Sequence, residues 1–148
     1  MLKYKNEDIF QSHNDIMIHQ CNCLCNWGAG IVVPMKKNYP GAWAKDLQTG
    51  YGDKRKLGDY THWSGPSIHK DERITIINAY GQYAMGRTKT QTDYDALRSA
   101  LRKVNGDFQH GTIGMPKIGC GLGGGDWNIV SKIIEEEFKG REVTIYEW

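Results

Sequence analysis

The stretch Arg73–Tyr80, RITIINAY, constrains this chain more than any other. Ile74, Ile76 and Ile77 make it almost continuously apolar. A strand of that kind has both faces covered, so it belongs inside a sheet with helices on either side. Further segments read as strands: Leu2–Lys5, Ile16–Gln20, Gly58–Trp63, Thr112–Met115 and Glu142–Glu147. Helical patterns fall between them. Ile31–Asn38 is short and stops before Tyr39-Pro40, because a residue preceding proline is steered out of the helical region. Thr92–Val104 repeats Tyr94, Leu97, Ala100, Leu101 and Val104 at helical spacing. Trp127–Lys139 repeats Ile129, Val130, Ile133, Ile134 and Phe138, with Gly140 as a C-cap. This alternation predicts an α/β fold, a three-layer α/β/α sandwich around a mixed, largely parallel sheet. No repeat or linker interrupts the 148 residues, a length that makes one domain, 1–148.

Two loops break the pattern with glycine: NWGAGI (26–31) after Ile16–Gln20, and GCGLGGGDW (119–127) after Thr112–Met115. Each follows the carboxyl end of a strand and opens a helix, and two such loops at one sheet edge make a crevice where ligands bind. Glycine costs roughly 0.5–1 kcal/mol relative to alanine in regular structure, so a run of it points to something that approaches the backbone closely. Unpaired N–H groups at a helix start attract anions, and successive glycines let them converge on a phosphate. The expected ligand is therefore a phosphate or diphosphate. No lysine follows the glycines, which excludes an ATPase P-loop. GCGLGG satisfies G-x-G-x-x-G, but it lies too near the C-terminus to leave room for the rest of a dinucleotide fold.

Composition removes other classes. A formal charge of +2 offers no basic surface for nucleic acid or membrane, and the short runs KKNY (36–39) and DKRK (53–56) read as solvated surface. No apolar run approaches the roughly 20 residues that span a bilayer. The polar start MLKYKNEDIF lacks a signal-peptide core, so the expected location is cytoplasmic. Cys21, Cys23 and Cys25, with Cys120 far away, do not match the paired spacing of zinc sites. They are expected to be small buried thiols in a reducing compartment, with no metal and no cofactor.

NEDIF (6–10), IHQCNCLCNWGAGI (18–31), INAYGQ (77–82), MPKIGCGLGGGDW (115–127) and the closing VTIYEW (143–148) together resemble the macro domain. The resemblance is to the branch that holds ADP-ribose 1''-phosphate phosphatases and terminal glutamate ADP-ribose glycohydrolases. It covers nearly the whole chain, and it implies ADP-ribose bound in the crevice of a three-layer α/β/α fold. Carried over by residue, it assigns Asp8 and Ile9 to the adenine and Asn22 to the distal ribose. Gly28, Ala29, Gly30 and Ile31 match the first phosphate-side loop. Gly119, Cys120, Gly121, Leu122, Gly123 and Gly124 match the second, where glycines let the backbone cradle the diphosphate. Trp148, or Tyr146, is placed to stack on adenine. Each assignment has a structural alternative: Asp8 as a turn acid, Asn22 as an amide bonded to its own backbone, the terminal aromatic as a core plug.

The resemblance also divides the chemistry. The glycohydrolases use a lysine in the segment matching Asn78–Gln82 and an aspartate directly after GCGL. This chain has NAYGQ and Gly123 there, so a lysine adduct with the ribose has no support. His19 matches a histidine implicated in catalysis by the phosphatases. An imidazole titrating near neutrality can attack phosphorus or protonate the leaving sugar oxygen, while loop N–H groups take up the phosphoryl charge. The alternative for His19 is a satisfied core group. Asp126 is the candidate partner, orienting His19 or a water, or else the N-cap of the next helix.

The leading expectation is a phosphatase of ADP-ribose 1''-phosphate. The alternatives are a non-catalytic reader of ADP-ribose, and a hydrolase that removes ADP-ribose from protein through Asp126 and a water. The expected partner is ADP-ribose or a 1''-substituted derivative, bound by a monomer. QYAMGRTKTQ (82–91) is expected to be a mobile flap that brings Arg87 or Lys89 to a terminal phosphate.

Overall fold

The residues that form strands are those with apolar side chains on alternate or on both faces, and they assemble as one sheet. The computed structural model describes residues 2–69, 71–84 and 90–148. These form β1 (Lys3–Lys5), β2 (Ile16–Cys21), β3 (Tyr60–Pro66), β4 (Arg73–Tyr80), β5 (Ile113–Met115) and β6 (Val143–Tyr146). The strand order is β1-β6-β5-β2-β4-β3. Neighbours run parallel except at one edge, where β3 is antiparallel to β4. The helices are α1 (Val32–Asn38), α2 (Pro40–Leu47), α3 (Tyr94–Asp107) and α4 (Trp127–Glu137).

Strand β4 shows why the layers form. Its side chains alternate between faces: Ile74, Ile76 and Tyr80 join Val32, Met35 and Ala42 of α1 and α2, while Ile77 and Ala79 join Leu97 and Leu101 of α3 and Ile134 of α4. β2 divides the same way, with Met17 and Cys21 toward α1 and α2, and Ile16 and Ile18 toward α3 and α4. The result is the expected three-layer α/β/α sandwich with a largely parallel sheet. No described helix is long and apolar enough to cross a membrane.

Proline produced the one missed helix. Pro40 does end α1 before it, but it then occupies the first turn of α2, where a missing N–H costs nothing. β3 starts and finishes later than Gly58–Trp63. Its last residue, Pro66, is tolerated because β3 is an edge strand. α3 begins at Tyr94 rather than Thr92 because the Asp93 carboxylate accepts the N–H of Ala96 at 3.0 Å and sets the start.

A buried carboxylate ties α2 to the loop that follows β2. Asp46 is fully buried and accepts Trp27 Nε1–H at 2.8 Å and the Tyr80 hydroxyl at 2.5 Å. Lys56 Nζ lies 3.8 Å from the same carboxylate and donates to Thr49 Oγ1 at 2.7 Å. A buried charge persists only when paired and hydrogen-bonded in this way. Asp46→Ala would leave the buried Lys56 ammonium without its counter-charge and the Trp27 N–H without its acceptor, so it should lower stability by about 3–5 kcal/mol. Urea unfolding checks this, and an unchanged midpoint would contradict it.

Candidate functional site

The adjacent strands β2 and β5 send the chain to opposite faces of the sheet. After β2 it enters α1 on one face; after β5 it enters α4 on the other. Such a switch point opens a crevice beyond the carboxyl ends of the strands, and a cleft of about 380 Å³ lies there. One rim is Asn22, Asn26, Ala29, Gly30 and Ile31. The other is Gly119, Gly121, Leu122 and Gly123. Gln20, Cys21, Val32 and Gln82 complete the lining with the segment 116–118. The rims approach each other, since a Cβ on Gly30 would come within 3.3 Å of Leu122 Cδ1.

Two glycines of the second loop have identifiable reasons. Gly119 adopts φ +73°, the left-handed region. Gly123 has no space for a side chain, since a Cβ would lie 2.5 Å from Thr92 Oγ1 and 2.8 Å from the Gly119 carbonyl oxygen. The loops also present donors. No described hydrogen bond uses the N–H groups of residues 29–32 or 121–123.

The residues expected to do chemistry lie elsewhere. His19 is fully buried and does not line the cleft. On β2 it shares a face with Met17 and Cys21, toward α1 and α2. Asn78 uses its Nδ2 on the Ala42 carbonyl (2.9 Å) and Thr61 Oγ1 (3.1 Å), so its Oδ1 accepts His19 Nε2–H at 2.6 Å, which sets the imidazole tautomer. Trp27 packs edge-on against the imidazole, with ring centroids 5.2 Å apart. Burial lowers the His19 pKa from 6.5 to about 4, against the opposing pull of Asn78 and Asp46. His19, expected from the sequence to attack phosphorus or shuttle a proton, thus sits beneath the cleft and not in its lining.

Asp126 is exposed at the start of α4, on the opposite face of the sheet, and its carboxylate accepts Asn128 N–H at 2.8 Å. It caps its own helix, and no described contact joins it to His19.

The expected ligand contacts divide. Asn22, Ala29, Gly30, Ile31, Gly119, Gly121, Leu122 and Gly123 line the cleft, whereas Gly28, Cys120 and Gly124 do not. The Asn22 side chain is engaged in its own loop, accepting Leu24 N–H at 2.9 Å and donating to the Asn26 carbonyl at 2.9 Å. Asp8 caps the 3-10 turn Ile9–Gln11 through Phe10 N–H at 2.9 Å, and Ile9 is fully buried; neither lines the cleft. Tyr146 is buried and accepts Asn14 Nδ2–H at 2.7 Å, while Trp148 is 61% exposed and outside the lining. Within the expected flap, residues 85–89, with Arg87 and Lys89, lie outside the described residues.

Sequence reasoning missed Gln20, Asn26, Gln82 and Lys117. Gln20 had a signal, being an amide beside His19 in a strand whose other residues are apolar. Among the described lining residues the ionisable side chains are Cys21 and Lys117. Burial raises the Cys21 thiol well above its usual range, and burial also pushes the neighbouring Cys120 up to about 11. Both stay protonated near neutrality and are poor nucleophiles. Lys117 is held by Glu147 at 2.5 Å, which raises its pKa.

Comparison with known proteins agrees with this architecture. An uncharacterized 17.5 kDa protein of the tk-vs intergenic region of Enterobacteria phage T4 is 31% identical over 136 residues, covering 88% of this chain and 84% of the relative. The ADP-ribose glycohydrolase OARD1 of Bos taurus is 27% identical, covering 97% and 88%. The ADP-ribose 1''-phosphate phosphatase of Saccharomyces cerevisiae (strain YJM789) is also 27% identical, covering 93% and 92%. Among solved structures, Thermosipho africanus DarTG in complex with ADP-ribose superposes with a TM-score of 0.80 at 18% identity, over 99% of this chain and 41% of that one. The family model of the macro domain matches residues 18–134. With that match over most of its length, and with the glycine loops set across a parallel switch point, the chain belongs to the macro domain family.

Proposed function

We propose that the cleft binds ADP-ribose, with the diphosphate held by backbone N–H groups of the two glycine loops, and that the chain hydrolyses a derivative substituted at the 1'' position. The observation that carries the binding reading is the pair of facing rims whose N–H groups at residues 29–32 and 121–123 have no described acceptor. The hydrolase reading draws support from the two curated relatives, which act on ADP-ribose derivatives by name. Phosphate is the 1'' group to test first. In this reading water attacks phosphorus, the P–O bond to the sugar breaks with its electron pair on the sugar oxygen, and the proton lost by the water ends on that oxygen. Loop N–H groups take up charge on the phosphoryl oxygens. A second reading, a domain that binds ADP-ribose without turning it over, draws on a described lining that holds neither carboxylate nor imidazole.

Calorimetry with ADP-ribose and phosphate release from ADP-ribose 1''-phosphate separate these. The wild type should bind and release phosphate. Gly123→Ala should lose at least about tenfold in affinity, equivalent to about 1.4 kcal/mol, because its Cβ displaces the loop. Binding without phosphate release would favour the second reading, and no binding would end both.

His19 acts here as a support for Trp27, the residue just before the first glycine loop. Its folded pKa of about 4 lies below the ordinary 6.5. The unfolded chain therefore takes up a proton that the folded chain refuses. The contribution is fully present above pH 6.5 and is lost as pH falls toward 4. Urea midpoints should fall less steeply across that window in His19→Gln than in the wild type. Equal slopes would contradict this account.

A further inference from the structure

Beneath the second glycine loop lies a relay of side chains drawn from outside the loop itself. Gln20 Nε2 donates to Gln82 Oε1 at 2.7 Å and to Thr92 Oγ1 at 3.0 Å. Thr92 Oγ1 donates to the Gly119 carbonyl at 2.7 Å, and Gln82 Nε2 donates to the Ala84 carbonyl at 2.8 Å. These directions fix one another. Thr92 has one hydroxyl proton and gives it to Gly119, so its oxygen must accept from Gln20. The Gln82 nitrogen is committed to Ala84, so its oxygen faces Gln20 as well. Gln20 presents its nitrogen to both, and its Oε1 is left buried with no hydrogen-bond partner among the described residues. That oxygen sits in a hollow left by two glycines, where a Cβ on Gly81 or Gly119 would lie 2.2 Å or 3.1 Å away.

The backbone of the same segment completes the brace. Gln91 N–H and Thr92 N–H donate to the Gly123 carbonyl at 2.8 Å and 3.1 Å, and Gly125 N–H returns to the Gly119 carbonyl at 2.7 Å. The loop's carbonyls are thereby turned inward.

An orphaned acceptor inside a protein costs stability, and its persistence in a functional region calls for an explanation. We propose that Gln20 and Thr92 are positioning residues that hold the second glycine loop with its carbonyls turned in and its N–H groups toward the ligand. The unpaired Gln20 oxygen is the stability sacrificed to orient that relay. This inference rests on the ADP-ribose reading of the cleft. It predicts a loss of affinity without a loss of stability, which a purely structural role would not give.

The test uses the full chain, with calorimetry against ADP-ribose and thermal melting without ligand. Gln20→Met removes the relay and the Gln20 acceptor but leaves Gln82 Oε1 without its described donor, so one unpaired acceptor replaces another. It should bind ADP-ribose at least tenfold more weakly while melting close to the wild-type temperature. Thr92→Ser keeps the hydroxyl and should stay within about twofold of wild-type affinity, whereas Thr92→Val should lose affinity as Gln20→Met does. If the wild type binds ADP-ribose and Gln20→Met binds equally well, the relay is overturned and the binding reading stands. If Gln20→Met loses affinity only in proportion to a lowered melting temperature, the role is general support and the proposal is likewise overturned. A wild type that does not bind ADP-ribose overturns the binding reading and the relay's role with it.

Discussion

The mismatch in length between β2 and β5 is what the site depends on. β5 pairs with the first part of β2, Ile16 opposite Ile113 and Met17 opposite Gly114. Pro116 follows Met115, and without an N–H it cannot extend the ladder. β2 continues to Cys21 and keeps only its partner on the other side, with His19 opposite Asn78 and Gln20 opposite Ala79. The end of the central strand thus loses a neighbour where the two connections diverge to opposite faces. The cleft occupies that gap, and the glycine loops are its rims.

Each rim is held by a polar support set in apolar surroundings. The first loop follows Trp27, whose indole N–H is held by the buried Asp46 and whose ring rests on His19. The second is braced through Thr92 and Gln20. Backbone donors bind anions well only when they need not reorganise at the moment of binding, and these supports supply that rigidity. In this view His19 matters to the ligand through Trp27.

The elements most legible in the sequence were those with long periodic patterns. RITIINAY, the Leu97–Val104 face of α3 and the Val130–Ile134 face of α4 led directly to layers, with Ile129 the exception at 42% exposed, and the glycine loops led to the switch point. α2 was hidden because proline reads as a stop before it reads as a start. The site was harder. The resemblance suggested catalysis for His19, with Asp126 as its partner. The cleft, however, lies beyond the carboxyl end of β2, where Gln20 and Cys21 reach its lining and His19, two residues before Cys21, meets the core. His19 fell on the face shared with Met17, and Asp126 on a helix cap. Gln82 closes the INAYGQ segment without a role read for it, Thr92 carries no motif, and only the fold brings them to the second glycine loop.

Fold membership alone does not settle activity in a family defined by its architecture, so the central claim concerns the backbone rather than a catalytic side chain. Backbone amide NMR during an ADP-ribose titration tests it most directly. The account predicts the largest shifts, and slowed amide exchange, at residues 29–32 and 121–123 on the two rims. Binding that leaves those amides unmoved while perturbing another surface would contradict it.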